Sequence, residues 1–273
     1  MKRTFFLMAF SFACLTCAQA STIFEDTFDY GANTSQTEVN KALSNKGWQT
    51  GATDLHFTGS GVTSNSWKYS RLYTNLAQSN TIKLGTTDST YQFSFSFTGT
   101  ERSGGVSKCN NNQDLFCLAG SDFSLLLGHS YTSNSTVALG TATENVFNAE
   151  KYYSFQSNQT NTDFSNPATL TPTSGTQVNI PTSPTESYTF SYLVTLTTLS
   201  TGSNMLSYTV DGKTVTYNFD STSELTQMGF LQSGDTNGIT LNNFTASKSI
   251  PEPTTATLGL FGLMALLARR RRA

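Results

Sequence analysis

The sequence predicts an all-β protein that folds as a two-sheet β-sandwich or jelly roll, flanked by a signal peptide and a C-terminal hydrophobic helix. Residues 91–98 alternate aromatic and small polar side chains, which is the period of a strand with one buried face. Residues 188–196 repeat that pattern. Asp211 and Gly212 separate two further alternating runs and predict a hairpin closed by a type I′ turn.

Other short runs predict the remaining strands. They cover residues 23–28, 54–58, 67–73, 81–84, 123–127, 136–139, 151–155, 227–231 and 239–246. About a dozen short strands separated by polar turns are typical of a two-sheet sandwich. Long loops are expected at residues 99–117 and 158–187, and no convincing amphipathic helix is recognisable in the sequence.

Two details concern the first and last predicted strands. Ile239 and Leu241 are out of phase with Phe244, so one extra residue near Asn242, a β-bulge, is needed to restore the register. Asp26 lies in an otherwise apolar row of the first strand. Because an unpaired buried carboxylate is costly, we expect Asp26 to have a hydrogen-bonding partner.

The N-terminal residues 1–20 have the three parts of a secretory signal peptide. A short cationic start is followed by an apolar run over residues 5–15. Ala18 and Ala20 then place small residues where a signal peptidase reads them, which predicts cleavage before Ser21. A lipoprotein signal would use Cys17, but the residues before it fit that motif poorly.

The C-terminal residues 250–273 contain Pro251, Glu252 and Pro253, an uncharged run over residues 254–268, and a terminal cluster of arginines. The cluster consists of Arg269, Arg270, Arg271 and Arg272. As a helix the uncharged run would be about 22 Å long, which is short against a hydrocarbon core of about 30 Å. The run is therefore either a short membrane anchor or a sorting tag that is held briefly in the membrane.

This three-part tail resembles the PEP-CTERM sorting signal, a match that covers about the last 25 residues. The resemblance implies that an exosortase, a membrane-embedded transpeptidase, recognises the tag in a Gram-negative bacterium that makes extracellular polysaccharide. It implies a transient inner-membrane anchor and a final place in the cell envelope, on the outer surface or in the matrix. It implies nothing about the activity of residues 21–249.

Composition limits the classes of partner. Between Ser21 and Ser249 there are ten basic and seventeen acidic residues, so this part carries a net charge near −7. With no basic patch, nothing in it favours nucleic-acid binding. Cys109 and Cys117 remain after removal of the signal peptide, and an even pair in an oxidising compartment predicts a disulfide. The alternative, two metal ligands, lacks further Cys or His residues nearby.

An acidic pair before a Phe in the first strand, and an Asn-Asn-Phe sequence in the last, resemble the concanavalin A-like, LamG-type jelly roll over most of residues 23–247. That resemblance implies a sandwich often used for glycan binding, with its terminal strands side by side. It also implies a calcium site in some relatives, here at Asp26 with Asn242 and Asn243. The simpler interpretation is a hydrogen-bonded Asp26 at a strand end.

Catalytic motifs are not recognisable in the sequence. A glycosidase needs two carboxylates facing one another across a sugar site, and the alternating acid string of jelly-roll glucanases is missing. Four distant acids remain open as a converging pair: Glu101, Asp114, Asp122 and Glu186. His56 and His129 lie in ordinary strand-end or loop contexts, and no Gly-x-Ser-x-Gly motif accompanies them. The sequence therefore predicts no catalytic residues and no cofactor.

Glycan binding requires exposed aromatic rings for sugars to stack on. Trp48, Trp67 and Tyr69, with Tyr73 beside them, are the candidates, although aromatic side chains of this size are more often buried. Three functions stay open: a non-enzymatic polysaccharide-associated module, a structural matrix protein without a ligand, and a glycoside hydrolase with an unrecognised carboxylate pair. A groove with exposed Trp or Tyr favours the first function, and two carboxylates facing each other across that groove favour the third. A flat Ser/Thr surface with neither of these features favours the second.

Overall fold

The computed structural model describes residues 19–51, 55–64, 70–99, 113–130, 136–149, 151–153, 155, 164–178, 188–233 and 239–250. The strands are β1 (Gln19–Asp26), β2 (Ala32–Asn33), β3 (Gln49–Thr50), β4 (Leu55–Thr58), β5 (Val62–Ser64), β6 (Ser70–Asn75), β7 (Ile82–Lys83), β8 (Ser89–Gly99), β9 (Gln113–Ala119), β10 (Ser124–Ser130), β11 (Thr136–Ala142), β12 (Tyr152–Tyr153), β13 (Phe164–Ser165), β14 (Ala168–Thr169), β15 (Tyr188–Thr198), β16 (Ser203–Val210), β17 (Lys213–Asp220), β18 (Glu224–Leu225), β19 (Gln227–Ser233) and β20 (Ile239–Ile250). One α-helix, α1 (Gln36–Lys46), and a 3-10 turn at Gln78–Asn80 complete the described elements.

Most of these strands form two large antiparallel sheets. The nine-stranded sheet has the order β17-β16-β15-β8-β20-β5-β4-β2, with β1 paired to β20 beside β5. The seven-stranded sheet has the order β14-β11-β10-β9-β19-β6-β3. Phe95 of β8 contacts Phe116 and Phe230 of the other sheet, with ring centroids 5.0 and 5.2 Å apart. The two sheets thus face one another across one aromatic core, which confirms the predicted sandwich.

The alternating strands behave as their pattern predicts. Tyr91, Phe93, Phe95 and Phe97 of β8 point into the core, and the intervening small polar residues lie on the outer face. β16 and β17 form the predicted hairpin, and both residues of its turn have positive φ, 49° at Asp211 and 73° at Gly212. A type I′ turn requires positive φ at both central positions, which is why Asp-Gly suits it.

The terminal strands lie side by side, as expected. β1 runs antiparallel to β20, and Gln19 lies opposite Ile250. The predicted bulge is also present, because the pairing of β20 with β8 shifts between Leu241 and Asn243. The extra residue brings Phe244 back to the core, where it is fully buried.

The helix α1 was not predicted. Its sequence signals are a Ser35-x-x-Glu38 start, the kind of spacing seen in capping boxes, and Gly47 immediately after the last turn. Gly47 has φ of 101° and its N–H donates to the carbonyls of the last turn, which ends the helix. Only Val39 and Leu43 of the helix are buried, so its apolar stripe is too narrow to stand out as a period.

Part of the outer face of the seven-stranded sheet is covered by residues 143–149, 151–153 and 155. We call this stretch the covering segment. It buries a second apolar cluster between itself and the sheet: Cys117, Ala119, Leu126, Ala138, Ala142, Val146, Phe147, Ala149, Tyr153, Phe155 and Leu231. The Arg71 guanidinium donates to the Ala149 carbonyl and, at 2.9 Å, to the Phe147 carbonyl, which fixes the covering segment to β6.

The predicted loop at residues 99–117 is shorter than expected, because β9 already begins at Gln113. The sequence of β9 does not alternate clearly between apolar and polar residues, because both of its faces are buried. Phe116 faces the core between the sheets, and Cys117 faces the covering segment. Among the described residues no helix is long and apolar enough to cross a membrane. The predicted tail helix at residues 254–268 and the apolar run at residues 5–15 lie outside the described residues.

Candidate functional site

The broadest polar surface among the described residues is the outer face of the nine-stranded sheet. Neighbouring side chains on this face come from strands β17, β16, β15, β8 and β20. We call it the hydroxyl face and define it by Thr90, Gln92, Ser94, Ser96, Thr98, Thr189, Ser191, Leu193, Thr195, Thr197, Met205, Ser207, Thr209, Thr214, Thr216, Asn218, Asn243, Thr245 and Ser247. Most of these side chains are hydroxyls or amides, and strand pairing sets them in rows.

One row shows how the register builds the hydroxyl face. Thr214 lies opposite Thr209, which lies opposite Leu193. Leu193 in turn lies opposite Ser94, and Ser94 opposite Thr245. Because neighbouring strands are about 4.8 Å apart, successive side chains of such a row stand at nearly constant spacing.

Hydrogen bonds between neighbouring strands hold part of this surface. The hydroxyls of Thr98 and Thr189 are 2.7 Å apart, as are those of Thr209 and Thr214. The Asn243 amide donates to the Ser96 hydroxyl at 2.9 Å. A hydroxyl that accepts one such bond keeps donor and acceptor capacity for another partner, so the rows can still bind a polar ligand.

The interior of the hydroxyl face is uncharged. Charged side chains with the same orientation lie at its margins, Glu25 opposite Thr245 and Asp220 at the end of β17. Leu193 and Met205 are the large apolar side chains on the face, with 43% and 38% of their surfaces exposed. A surface of this composition offers hydrogen bonds and van der Waals contact rather than charge attraction.

Asp26 is satisfied entirely by groups of the core. One carboxylate oxygen accepts the Phe28 N–H at 2.8 Å, and the other accepts the Tyr30 hydroxyl and the Trp48 indole N–H, each at 2.7 Å. This confirms that the buried carboxylate has partners. Burial, together with the hydrogen bond to Asp26, raises the pKa of the Tyr30 hydroxyl well above its ordinary value, so Tyr30 remains a donor.

The possible calcium site at Asp26, Asn242 and Asn243 is wrong. Asp26 points to the inner side of the nine-stranded sheet, where its oxygens already face three donors. Asn242 and Asn243 lie on the outer side, and their amides donate to Thr98 and Ser96. The bulge at Asn242 leaves both Asn side chains on the outer side, whereas Asp26, opposite the buried Phe244, lies on the inner side. The described residues contain no cluster of three or more acidic, His or Cys side chains suited to a metal.

Trp48 cannot be one of the exposed aromatic rings predicted to stack on sugars. Only 2% of its surface is exposed, and its ring packs against Phe24, Phe28 and Phe244 with centroids 4.8 to 5.7 Å away. Gly47 ends α1 in a left-handed conformation and turns the chain so that the next side chain enters the core. A buried ring cannot stack on a sugar.

Of the other aromatic residues predicted to stack on sugars, the structure describes only Tyr73. Tyr73 stacks on Phe147 of the covering segment with centroids 4.8 Å apart, so its ring has a structural role. Trp67 and Tyr69 lie outside the described residues, and their part in binding stays a prediction.

Several predicted sites lie wholly or partly outside the described residues. These are Ala18, Cys109, Pro251, Glu252, Pro253 and Arg269, Arg270, Arg271 and Arg272. Ala20 and Ser21 are placed in β1 opposite Ser249 and Lys248, so the predicted cleavage point falls inside a strand. Cys117 is fully buried beneath the covering segment, and its pairing with Cys109 stays a prediction.

The structure does not test the acids left open as a catalytic pair. Asp122 is exposed in the turn between β9 and β10, while Glu101 and Glu186 lie outside the described residues and Asp114 is described only by its backbone pairing in β9. His56 lies on β4, and burial lowers its pKa. Its Nδ1 atom has no hydrogen-bond partner within the described part of the chain.

No protein-family model and no curated protein matches the chain. Among solved structures, the alginate lyase Aly36B aligns with 83% of this chain and 96% of its own, at 9% identity and a TM-score of 0.45. The carbohydrate recognition domain of Emp47p aligns with 86% and 99%, at 13% identity and a TM-score of 0.45. A legume lectin-like domain from Entamoeba histolytica aligns with 79% and 95%, at 6% identity and a TM-score of 0.40. At these values the likenesses say nothing about a ligand or an activity of this chain.

Proposed function

We propose that this chain is an exported, non-enzymatic protein of the cell envelope or outer surface. In this proposal an exosortase sorts it, and it associates with extracellular polysaccharide through the hydroxyl face. The observation that carries the binding part is the uncharged array of Ser, Thr and Asn side chains across β17, β16, β15, β8 and β20. Hydroxyls and amides are the groups that complement the donors and acceptors of a polysaccharide.

Binding by such a surface involves many contacts, each of which contributes little free energy. Each exposed hydroxyl exchanges a hydrogen bond with water for one with a sugar, so the net gain per contact is only about 1 kcal/mol. Because the rows repeat across several strands, one extended polysaccharide chain can contact many of them at once. Useful affinity then comes from the number of simultaneous contacts rather than from a deep sugar pocket.

The export part rests on the two ends of the chain. The cationic and apolar start predicts secretion, and Pro251 follows directly after β20, so the Pro-Glu-Pro motif begins where the last strand stops. A recognition tag at that point follows the last strand in the chain and does not interrupt the sandwich. Deleting residues 251–273 and following the protein in fractionated cells tests this part. Unchanged export and placement would overturn it.

The binding part is tested by affinity electrophoresis of the full chain through gels that contain one polysaccharide each, neutral or acidic. We expect retardation by at least one neutral polysaccharide. Replacing Thr195, Thr209 and Thr216 together by Val removes three hydroxyls of the face while keeping strand-forming side chains, and it should weaken retardation severalfold. Thr37→Val on α1 is the matched control and should change nothing.

A structural matrix protein without a defined ligand is the second candidate. Burial of Trp48, together with a broad Ser/Thr surface, is the arrangement expected for that function. Absence of retardation by every polysaccharide would support it and contradict the binding proposal. Release of new reducing ends from any polysaccharide would contradict the non-enzymatic part instead.

A further inference from the structure

The first and last described residues of the chain lie next to one another at one end of the sandwich. Gln19 is the first residue of β1 and lies opposite Ile250, the last residue of β20. The predicted signal peptide, residues 1–20, runs into β1, and the predicted sorting tail, residues 250–273, begins at the last residue of β20, so both are joined to the same end of the nine-stranded sheet. We call this the tether end.

Strand pairing identifies the loops at the tether end. Ser249 lies opposite Thr90 of β8, and Thr90 lies opposite Thr197 of β15. The turn that follows β15, residues 199–202, therefore projects from the same end as Ile250. The β16–β17 turn at Asp211 projects from the opposite end.

The turn at residues 199–202 presents an exposed leucine on a fixed backbone. Leu199 has 41% of its surface exposed. Its N–H donates to the Ser203 carbonyl at 3.1 Å, and the Ser200 N–H donates to the Asp88 carboxylate at 2.7 Å. The Gly202 N–H donates to the Gly85 carbonyl at 3.0 Å, which ties the turn to the loop before β8.

The link to the predicted tail helix is short. Only Pro251, Glu252 and Pro253 separate Ile250 from the uncharged run. Three extended residues span at most about 11 Å. The headgroup layer on each side of a bilayer is about 5–8 Å thick. With the run in the bilayer, the tether end has to lie at or just above the headgroups.

We propose that the tether end is a lipid-contact surface, with Leu199 entering the headgroup region while the tail holds the protein in the membrane. The proposal rests on the proposed function, because sorting by a membrane-embedded exosortase requires the predicted tail at residues 250–273 to be held in the membrane at least transiently. Among the described residues, the charges at this end nearly balance, since the exposed Asp88, Asp220 and Glu224 are offset by the exposed Lys83 and the partly buried Lys248. Contact with the bilayer is therefore apolar and does not require anionic lipid.

The test uses the full chain in phosphatidylcholine vesicles, with and without brominated acyl chains that quench indole fluorescence on contact. Leu199→Trp places an indole at the tether end. Leu193→Trp is the matched control, because Leu193 is equally exposed, at 43%, but lies in the hydroxyl face. The signal of the unchanged protein is subtracted, and far-UV circular dichroism checks that each variant keeps its strands.

We expect brominated lipid to remove most of the fluorescence added by Leu199→Trp and little of that added by Leu193→Trp. Equal quenching of the two variants in protein that floats with the vesicles would overturn the lipid-contact surface while leaving membrane attachment intact. Failure of the full chain to float with the vesicles would overturn both the attachment and the surface.

Discussion

The outer faces of the two sheets contrast sharply although their inner faces share one core. Most side chains of the hydroxyl face are exposed or half-buried, although Ser96 is buried, while part of the corresponding face of the seven-stranded sheet is buried under the covering segment. The sequences of the strands reflect this difference. β8 and β15 alternate apolar and polar residues, whereas β10 contains the continuous run Leu125 to Leu127. A strand buried on both faces has no polar positions to alternate with.

The comparison shows where a ligand can reach the molecule. A sandwich has two outer faces on which an extended ligand can lie, and here a stretch of the chain itself occupies one of them. Leu126 of β10 and Phe147 of the covering segment are both buried in the second apolar cluster. The exposed outer face that remains among the described residues is the hydroxyl face.

The largest expected effect comes from placing a charge on each of the two outer faces in turn. Leu126 is fully buried beneath the covering segment, and Leu193 is 43% exposed on the hydroxyl face. Leu126→Asp places an unpaired carboxylate in an apolar cluster and should reduce the free energy of unfolding by more than about 4 kcal/mol. Leu193→Asp should cost no more than about 1 kcal/mol. Urea unfolding measures both, and equal losses would show that the covering segment does not protect its face.

The second prediction compares neighbours on the two sides of one strand. Glu25 is exposed and Asp26 is buried, because successive residues of β1 point to opposite faces. Asp26→Ala leaves the Trp48 indole N–H, the Tyr30 hydroxyl and the Phe28 N–H without their acceptor, and should cost about 3 kcal/mol or more. Glu25→Ala should change the unfolding free energy by no more than about 0.5 kcal/mol. Thermal unfolding of the two variants side by side checks the contrast.

A third prediction concerns the attachment of the covering segment. Arg71→Met keeps much of the aliphatic length but removes the donors to the Phe147 and Ala149 carbonyls, and should cost about 1–2 kcal/mol. Amide hydrogen exchange should rise in the covering segment and stay unchanged in β8 and β15. Lys213→Met, at the exposed start of β17, is the control. Uniform acceleration of exchange in all strands would contradict a local role for Arg71.

The smallest effect is pH dependence from His56. Burial lowers its pKa in the folded protein, whereas an unfolded histidine titrates near about 6.5. As the pH falls through about 6.5 the unfolded state therefore binds more protons than the folded state, and stability decreases. His56→Gln should flatten this part of the profile without changing stability at neutral pH greatly. Urea unfolding of both proteins between neutral pH and about pH 5.5 measures how the free energy of unfolding depends on pH. Parallel profiles of the two proteins would exclude His56 as the cause of the decrease in stability.

Much of the fold could be predicted because its signals are local. The period of two in β8 and β15, the Asp211–Gly212 turn and the extra residue at Asn242 each act within a few positions of the chain. The helix α1 escaped prediction because only two of its residues are buried, although Ser35, Glu38 and Gly47 are the kind of residues that mark its ends.

The candidate site was harder to predict than the fold. Trp48 was a candidate for sugar stacking, yet its indole donates to Asp26, 22 residues earlier in the chain. The hydroxyl face was not singled out, because Ser and Thr in a strand pattern indicate only that one side is polar. Its rows exist through the pairing of β8 with β15 and β20, which comes from three distant parts of the chain.

By itself the sequence determined that the chain forms short strands, which of their side chains alternate, and where hairpin and bulge occur, because these depend on neighbouring residues. The tertiary structure alone decided that Asp26 is satisfied by Trp48 and Tyr30, and that one outer face is partly covered by the chain while the other is not. Those outcomes depend on which distant strands pair and which faces are then left without a covering, and no local pattern of residues encodes either.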